Sequence, residues 1–482
     1  MTVSKHVDVL IIGAGISGID AAYRLKTRCP AKSLLILEAR KRIGGTWDLF
    51  RYPGVRSDSD IFTLGFPFRP WPSDQSIVDG PAICDYVEAT ARETGVFEHI
   101  RFAHKVVQAI WSSADSRWTV ETDQGERFTA AFLYLASGYY DYDKGYRPTW
   151  PGEAAFEGAI VHPQFWPEDL TFSGKRVAVI GSGATAVTLV PALTRDAAAV
   201  VMVQRSPSYI VARPARDAIA RWLHRLLPRR MAGALIRWKN VLLTIYFYGR
   251  ARRKPERVGH WIQEQIRKAL PAGYPVERDF TPSYKPWDQR LCLVPDGDLF
   301  AAMNSGKVRI VTGAIQSFTP HGLRLASGEE VQADVIVTAT GLVMRVGGGI
   351  TLSVDGEPVK LSESFIYKGM MLSGVPNLFV AFGYANASWT LRSDLTARSV
   401  CRLLNRMDAR RLTTAVPHID GGMERRPVIE FSSGYVARAE GVLPSQGNRQ
   451  PWRVPQNYVR DLATMTFRRI DEGLELGSRT SA

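Results

Sequence analysis

Two glycine-rich turns carry the first chemistry in this chain. One reads Gly13-Ala14-Gly15-Ile16-Ser17-Gly18 and the other Gly181-Ser182-Gly183-Ala184-Thr185-Ala186. Each follows a short apolar run (Val7–Ile12, Val177–Ile180) and opens a stretch with helical spacing. In that context the pattern predicts a dinucleotide site rather than a bare turn. The first glycine makes the tight turn, the second lets backbone approach a pyrophosphate, and the third position lets helix pack closely on strand. The start of the helix, with roughly half a positive charge, suits phosphate oxygens. Two such sites imply two cofactors that exchange electrons, and therefore a redox enzyme.

The residue at the end of each second strand separates the two sites. Glu38 closes the run Ser33–Leu37, where an acid accepts from a ribose 2′-hydroxyl. An N-terminal site with this acid predicts FAD. At the corresponding place after Val200–Val203 the chain reads Gln204-Arg205-Ser206. An acid would repel a 2′-phosphate, whereas a guanidinium and a hydroxyl hold one, so this site predicts NADPH over NADH.

The elements around these turns predict an α/β protein with two Rossmann-like dinucleotide-binding domains. Strands are expected at Val106–Trp111, Trp118–Thr122 and Arg127–Phe132, with Phe132–Ala136 leading to Ser137-Gly138. Tyr139–Gly152 reads as a linker. Ala234–Tyr248 and Val258–Leu270 have amphipathic helical patterning and interrupt the second nucleotide domain. Val308–Val311, Val335–Thr338 and Leu378–Phe382 are further strands. The expected organisation is a discontinuous FAD-binding domain (1–143 and 343–482), a linker (144–153), an NADPH-binding domain (154–212 and 286–342) and a helical insertion (213–285).

A chain of 482 residues with net charge +14 is long enough for two or three domains. Fifteen Lys/Arg against three Asp/Glu between Arg213 and Lys268 place most of the excess in the insertion. Two readings stay open for that segment: a solvated helical face, or peripheral contact with an anionic membrane or acidic partner. No recognition module for nucleic acid accompanies the charge. There is no run of 18 apolar residues and no export signal ahead of Val7. Cys29, Cys84, Cys292 and Cys401 form no CxxC, which argues against a zinc site or disulfide framework and fits a cytoplasmic protein.

Between the two nucleotide units lies Phe156-x-Gly158-x-x-x-His162-x-x-x-Trp166-Pro167. It resembles the FxGxxxHxxxW[PD] fingerprint of type I Baeyer–Villiger monooxygenases. Related flavin-containing monooxygenases tend to have Tyr or Phe at the position of Trp166. The stretch Gly44-Gly45-Thr46-Trp47 through Asp58 resembles a second motif of that family, [AG]GxWxxxx[FY]P[GM]xxxD. The runs Gly45–Gly65, Trp287–Phe300, Tyr367–Gly374 and Asn386–Leu391 are similar to its ethionamide-activating branch.

The resemblance implies roles for particular residues. Arg290 matches the active-site arginine and Asp58 the acid that pairs with it. Thr46, Trp47 and Val106 match FAD-contacting positions, beside Gly13, Gly15, Ser17, Gly18 and Glu38. On the NADPH side stand Gly181, Gly183, Ala184, Thr185, Arg205 and Ser206. Gln289 departs from the family, which tends to have lysine there near the 2′-phosphate. Phe156, Gly158, His162 and Trp166 are expected to couple the domains rather than act on substrate. Asn386–Trp389 is a candidate loop near flavin and substrate.

The implied activity is NADPH- and O₂-dependent Baeyer–Villiger oxidation of ketones to esters or lactones through a C4a-peroxyflavin, with sulfides or thioamides as further substrates. Two alternatives stay open: an N- or S-oxygenating flavin monooxygenase without ketone activity, and a non-catalytic membrane-associated flavoprotein. A flavin disulfide reductase is disfavoured, because Gly44–Asp58 contains no cysteine. A homo-oligomer is also left open.

Overall fold

The structure, a computed structural model, describes residues 5–419, 421–439 and 441–478. Strand Lys5–Ile12 lies inside the larger sheet, parallel to Leu34–Leu37 on one side and Arg127–Leu135 on the other. Its apolar residues Val9, Leu10 and Ile11 are fully enclosed, since helices and strands cover both faces. Arg127–Leu135 is one continuous strand. Its first half pairs antiparallel with Arg117–Thr122, and its second half pairs parallel with Leu378–Val380. The late chain also adds Thr351–Val354 beside Val106–Ser112, and helix Trp389–Ala409 packs on helix Ile16–Arg28.

The second sheet is all parallel, in the order Val308–Thr312, Ala199–Gln204, Arg176–Ile180, Val335–Thr338, Ala159–Val161. Ala159–Val161 is its edge strand, so part of the fingerprint segment belongs to a sheet. The stretch Tyr139–Gly152, read as a linker from its composition, carries a strand. Tyr140–Gly145 forms a strand antiparallel to Leu342–Met344, so the two crossings between the sheets are hydrogen-bonded to each other.

The insertion comprises helices Ala218–Leu226, Arg229–Arg253, Pro255–Ala269 and Val276–Phe280. Buried Arg237 donates to the carbonyls of Phe62 (3.0 Å) and Gly65 (2.8 Å), tying Arg229–Arg253 to the first half of the chain. Val258, Ile262 and Ile266 on the next helix enter the core of the second half. Each such burial contributes roughly 1.5–3 kcal/mol relative to exposure. The insertion therefore holds on to both halves.

Candidate active site

A cavity of about 470 Å³ lies where the two halves meet. Gly13, Gly15, Ser17, Glu38, Thr46, Trp47, Asp58 and Val106 line it from the first half. Ala184, Thr185 and Arg290 line it from the second, and Tyr384, Ala387 and Trp389 from the returning chain. Gly18, Gly181, Gly183, Arg205, Ser206, Gln289 and the four fingerprint residues are not among its walls.

The first turn is shaped to receive a phosphate. Gly13 sits at φ +104°, in the region that favours glycine, and a Cβ on Gly18 would overlap the Gly13 carbonyl oxygen. Gly15 is different: its nearest neighbour would be Gly45 Cα at 3.7 Å, an ordinary contact. Packing within the protein therefore leaves that position open, and the space in front of it is cavity. Helix Ile16–Arg28 has no acid in its first turn and no side-chain cap at Gly15, so its leading N–H groups remain for an anion.

Glu38 is buried and fastened. Its Oε2 accepts from the Ala14 N–H (2.6 Å) and its Oε1 from the Arg40 N–H (2.8 Å). Burial nevertheless pushes its carboxyl above the usual range. Each oxygen has a further lone pair, so a ribose hydroxyl can still be accepted. These residues fit an FAD adenosine and pyrophosphate.

The second turn is open to solvent. Gly181 lies at φ +140°, with a Cβ there overlapping the Ala339 carbonyl oxygen, whereas a Cβ on Gly183 would meet nothing within 4 Å. Helix Ala184–Leu193 likewise has no acid in its first turn and no side-chain cap. Gln204 is drawn into the core, its Nε2 donating to Asp279 O (2.8 Å) and Thr312 Oγ1 (2.9 Å). Arg205 is exposed and makes no ion pair or hydrogen bond among the described residues. Ser182 Oγ donates to the exposed Ser206 carbonyl (2.9 Å), and Gln289 is half-buried. The arrangement fits a phosphate-bearing ligand at an exposed turn.

Arg290 and Asp58 meet across the cavity wall although 232 positions separate them. Arg290 Nε stands 3.3 Å from Asp58 Oδ2, and its Nη2 is 3.4 Å from Ser59 Oγ. Nη1 has no hydrogen-bond partner among the described residues. Asp58, first among several causes, drives the guanidinium further into its charged form; Tyr139, Tyr435 and Tyr140 act in the same direction. Trp287, three residues earlier, holds φ +70°, an uncommon conformation for a bulky residue.

Of the fingerprint residues, His162 reaches the crossing strands, while the others pack within the second half. The half-buried His162 accepts the Gln164 N–H at Nδ1 (3.2 Å) and donates from Nε2 to the Gly341 carbonyl (3.2 Å). Burial holds the imidazole below its ordinary pKa. Phe156 packs edge-on to Phe318, and Trp166 edge-on to Phe172. A Cβ on Gly158 would overlap the Asp334 carbonyl oxygen.

Sequence reasoning passed over the aromatic wall. Tyr139, Tyr140 and Tyr142, read as linker, line the cavity. Tyr139 stacks on Trp389 (centroids 4.7 Å apart), and Trp389 Nε1 donates to Ser17 Oγ (2.9 Å). Tyr139 Oη lies 2.9 Å from Tyr140 Oη, and burial pushes the Tyr139 phenol up to about 12. Three tyrosines in four residues was the available signal, since linkers seldom carry so much apolar surface.

A family model described as flavin-binding monooxygenase-like matches residues 5–237. The FAD-containing monooxygenase EthA of Mycobacterium tuberculosis is 52% identical, covering 99% of both chains. The chain belongs to this flavin-binding monooxygenase family. EthA of Mycolicibacterium smegmatis is 49% identical over 97% of this chain and 96% of its own. Among solved structures, an oxidised steroid monooxygenase bound to NADP superposes with TM-score 0.79 at 22% identity, covering 98% of this chain and 100% of its own. Family membership makes this chain a flavin-dependent oxygenating enzyme, and the superposition shows the same mixed α/β fold. Among the described residues, no helix is long and apolar enough to cross a membrane.

Proposed function

We propose that this monooxygenase uses FAD, NADPH and O₂ to convert ketones into esters or lactones, with sulfides or thioamides as further substrates. The observation that carries the reading is the Arg290–Asp58 pair, 3.3 Å apart on the wall of the cavity that the first glycine turn opens into. The named relatives and the steroid monooxygenase likeness support it.

In this reading residues 1–143 and 343–482 hold FAD, residues 154–212 and 286–342 hold NADPH, and 144–153 link them. Gly13, Gly15, Ser17, Gly18 and Glu38 bind the adenosine and pyrophosphate, while Thr46, Trp47 and Val106 make further contacts with FAD. Gly181, Gly183, Ala184, Thr185, Arg205 and Ser206 hold NADPH, with Gln289 contributing no charge. Bound there, FAD supplies hydride acceptance from NADPH and activation of molecular oxygen. One oxygen atom ends in the ester and the other in water.

The protein's own part is electrostatic. Asp58 pairs with Arg290 at Nε and keeps its charge at the cavity wall, leaving Nη1 to face developing negative charge on oxygen. The tyrosine and tryptophan walls keep water from it, which strengthens that attraction. Phe156, Gly158, His162 and Trp166 couple the two halves, His162 through its bond to the Gly341 carbonyl beside the crossing strands. The basic insertion contacts an anionic membrane in this reading, and homo-oligomerisation stays open.

The test is product analysis with a cyclic ketone under NADPH and O₂. Lactone is expected from the native protein, with roughly 10²-fold less from Arg290→Ala, the usual cost of one lost oxyanion donor, and flavin content unchanged. Sulfoxide from a sulfide without any lactone would move the protein to N- or S-oxygenation. Lactone formation unchanged in Arg290→Ala would remove the guanidinium from the chemistry.

A further inference from the structure

Two neighbouring helices of the insertion present apolar stripes to solvent. On Ala218–Leu226 the stripe is Ile219, Trp222 and Leu226, the last two 60% and 59% exposed. On Arg229–Arg253 it is Met231, Leu235, Trp238, Leu242 and Tyr246, from 40% to 65% exposed. The spacings of three and four put each set on one helix face. The opposite face of Arg229–Arg253 is buried through Ala232, Ile236 and Val241, so this helix is apolar on both sides. The two helices pack on each other, and Trp261 of the next helix, 46% exposed, adjoins them through Phe247. A soluble monomer rarely exposes so large an apolar surface without using it.

The charge around the stripes has one sign. Ala218–Lys254 contains ten Lys/Arg and no Asp/Glu. Arg225, Arg230, Arg250 and Arg253 are exposed and form no ion pair among the described residues. A second copy would bring the same positive face and be repelled by it, so self-association is disfavoured. Aromatic and leucine side chains flanked by free arginines match instead an anionic interface, with rings among headgroups and guanidiniums on phosphates. Since neither helix is apolar enough to span, the fit is to helices lying flat in the headgroup layer.

We propose that the outer face of helices Ala218–Leu226 and Arg229–Arg253 docks in the surface of an anionic phospholipid bilayer, with Trp222, Leu235 and Leu242 as the apolar anchor. This deepens the membrane contact of the preceding reading by naming its surface. It is independent of the ketone chemistry, so vesicle binding and turnover can fail separately.

The experiment is flotation of the FAD-loaded full chain with vesicles of phosphatidylcholine alone or mixed with phosphatidylglycerol, at low and high salt. Binding is expected to the mixed vesicles and to fall with salt. The variant Trp222→Ser/Leu235→Ser/Leu242→Ser is expected to lose at least ~10-fold in vesicle affinity while keeping flavin content and melting temperature. Arg225→Gln/Arg230→Gln/Arg253→Gln should lose a comparable factor without touching the apolar stripe. No flotation with the mixed vesicles overturns the proposal. So does binding that the triple serine variant retains, which would point to a purely acidic ligand. A dimer in sedimentation velocity that the serine variant dissolves, without vesicle binding, would assign the face to self-association.

Discussion

The two glycine turns share a pattern and differ in what surrounds them. The first borders the cavity between the halves, with its acid buried and held by two backbone N–H groups. The second is exposed at Gly183, while Ala184 and Thr185 reach the same cavity; its acid position is filled by a glutamine drawn into the core and its arginine is free. A buried, fastened ribose partner suits a cofactor that stays through many turnovers. An exposed turn with a free arginine beside it suits one that arrives charged with electrons and leaves spent. One sequence signature thus supports residence or exchange according to its neighbours.

The comparison can be broken or sharpened by substitution. The largest effect belongs to Gly18→Ala, where the new methyl overlaps the Gly13 carbonyl oxygen inside the fold. It should cost roughly 4 kcal/mol or more and yield no soluble yellow protein; a stable holoenzyme would mean that the turn relaxes easily. Gly183→Ala meets no protein atom within 4 Å, so melting temperature and flavin content should hold. Loss of backbone approach to the pyrophosphate should raise the NADPH concentration for half-maximal flavin bleaching on the order of 10²-fold. Unchanged saturation would take NADPH away from the second turn.

Arg205→Ala removes one charge-assisted contact, worth roughly 1.5–3 kcal/mol, and should raise KM for NADPH at least ~10-fold while leaving NADH unaffected. An equal change for both nucleotides would assign Arg205 to the pyrophosphate instead. The smallest effect is in the first helix itself. Asp20 is buried with no hydrogen bond to either carboxylate oxygen among the described residues, and burial, reinforced by Asp394, raises its pKa well above normal. A raised folded pKa means stability that is full below the unfolded value and lost as pH rises through the folded one. Asp20→Asn should therefore gain roughly 1 kcal/mol near neutral pH in urea unfolding, with the gain vanishing at acid pH. An equal gain at both pH values would show that the charge is not what costs.

Legibility in the sequence followed distance along the chain. Strand Lys5–Ile12 and helix Ile16–Arg28 announce themselves because their apolar spacing and glycines are local. Tyr140–Gly145 did not, since its tyrosines alternate with aspartates and its partner Leu342–Met344 comes some two hundred residues later. Arg290 and Asp58 were found through motif resemblance alone; no spacing rule joins residues 232 apart. The bond from Trp389 to Ser17 left no trace in sequence. Helix Arg229–Arg253 shows a further limit: apolar on both sides, its pattern could not say which side lies buried.

The crossing strands carry one more lesson. A side chain at Gly145 would occupy the space of the His162 imidazole ring. The dependence runs one way: a methyl group at 145 obliges the ring at 162 to move, and the tie to Gly341 moves with it. A glycine outside the fingerprint thus sets the space that its histidine occupies.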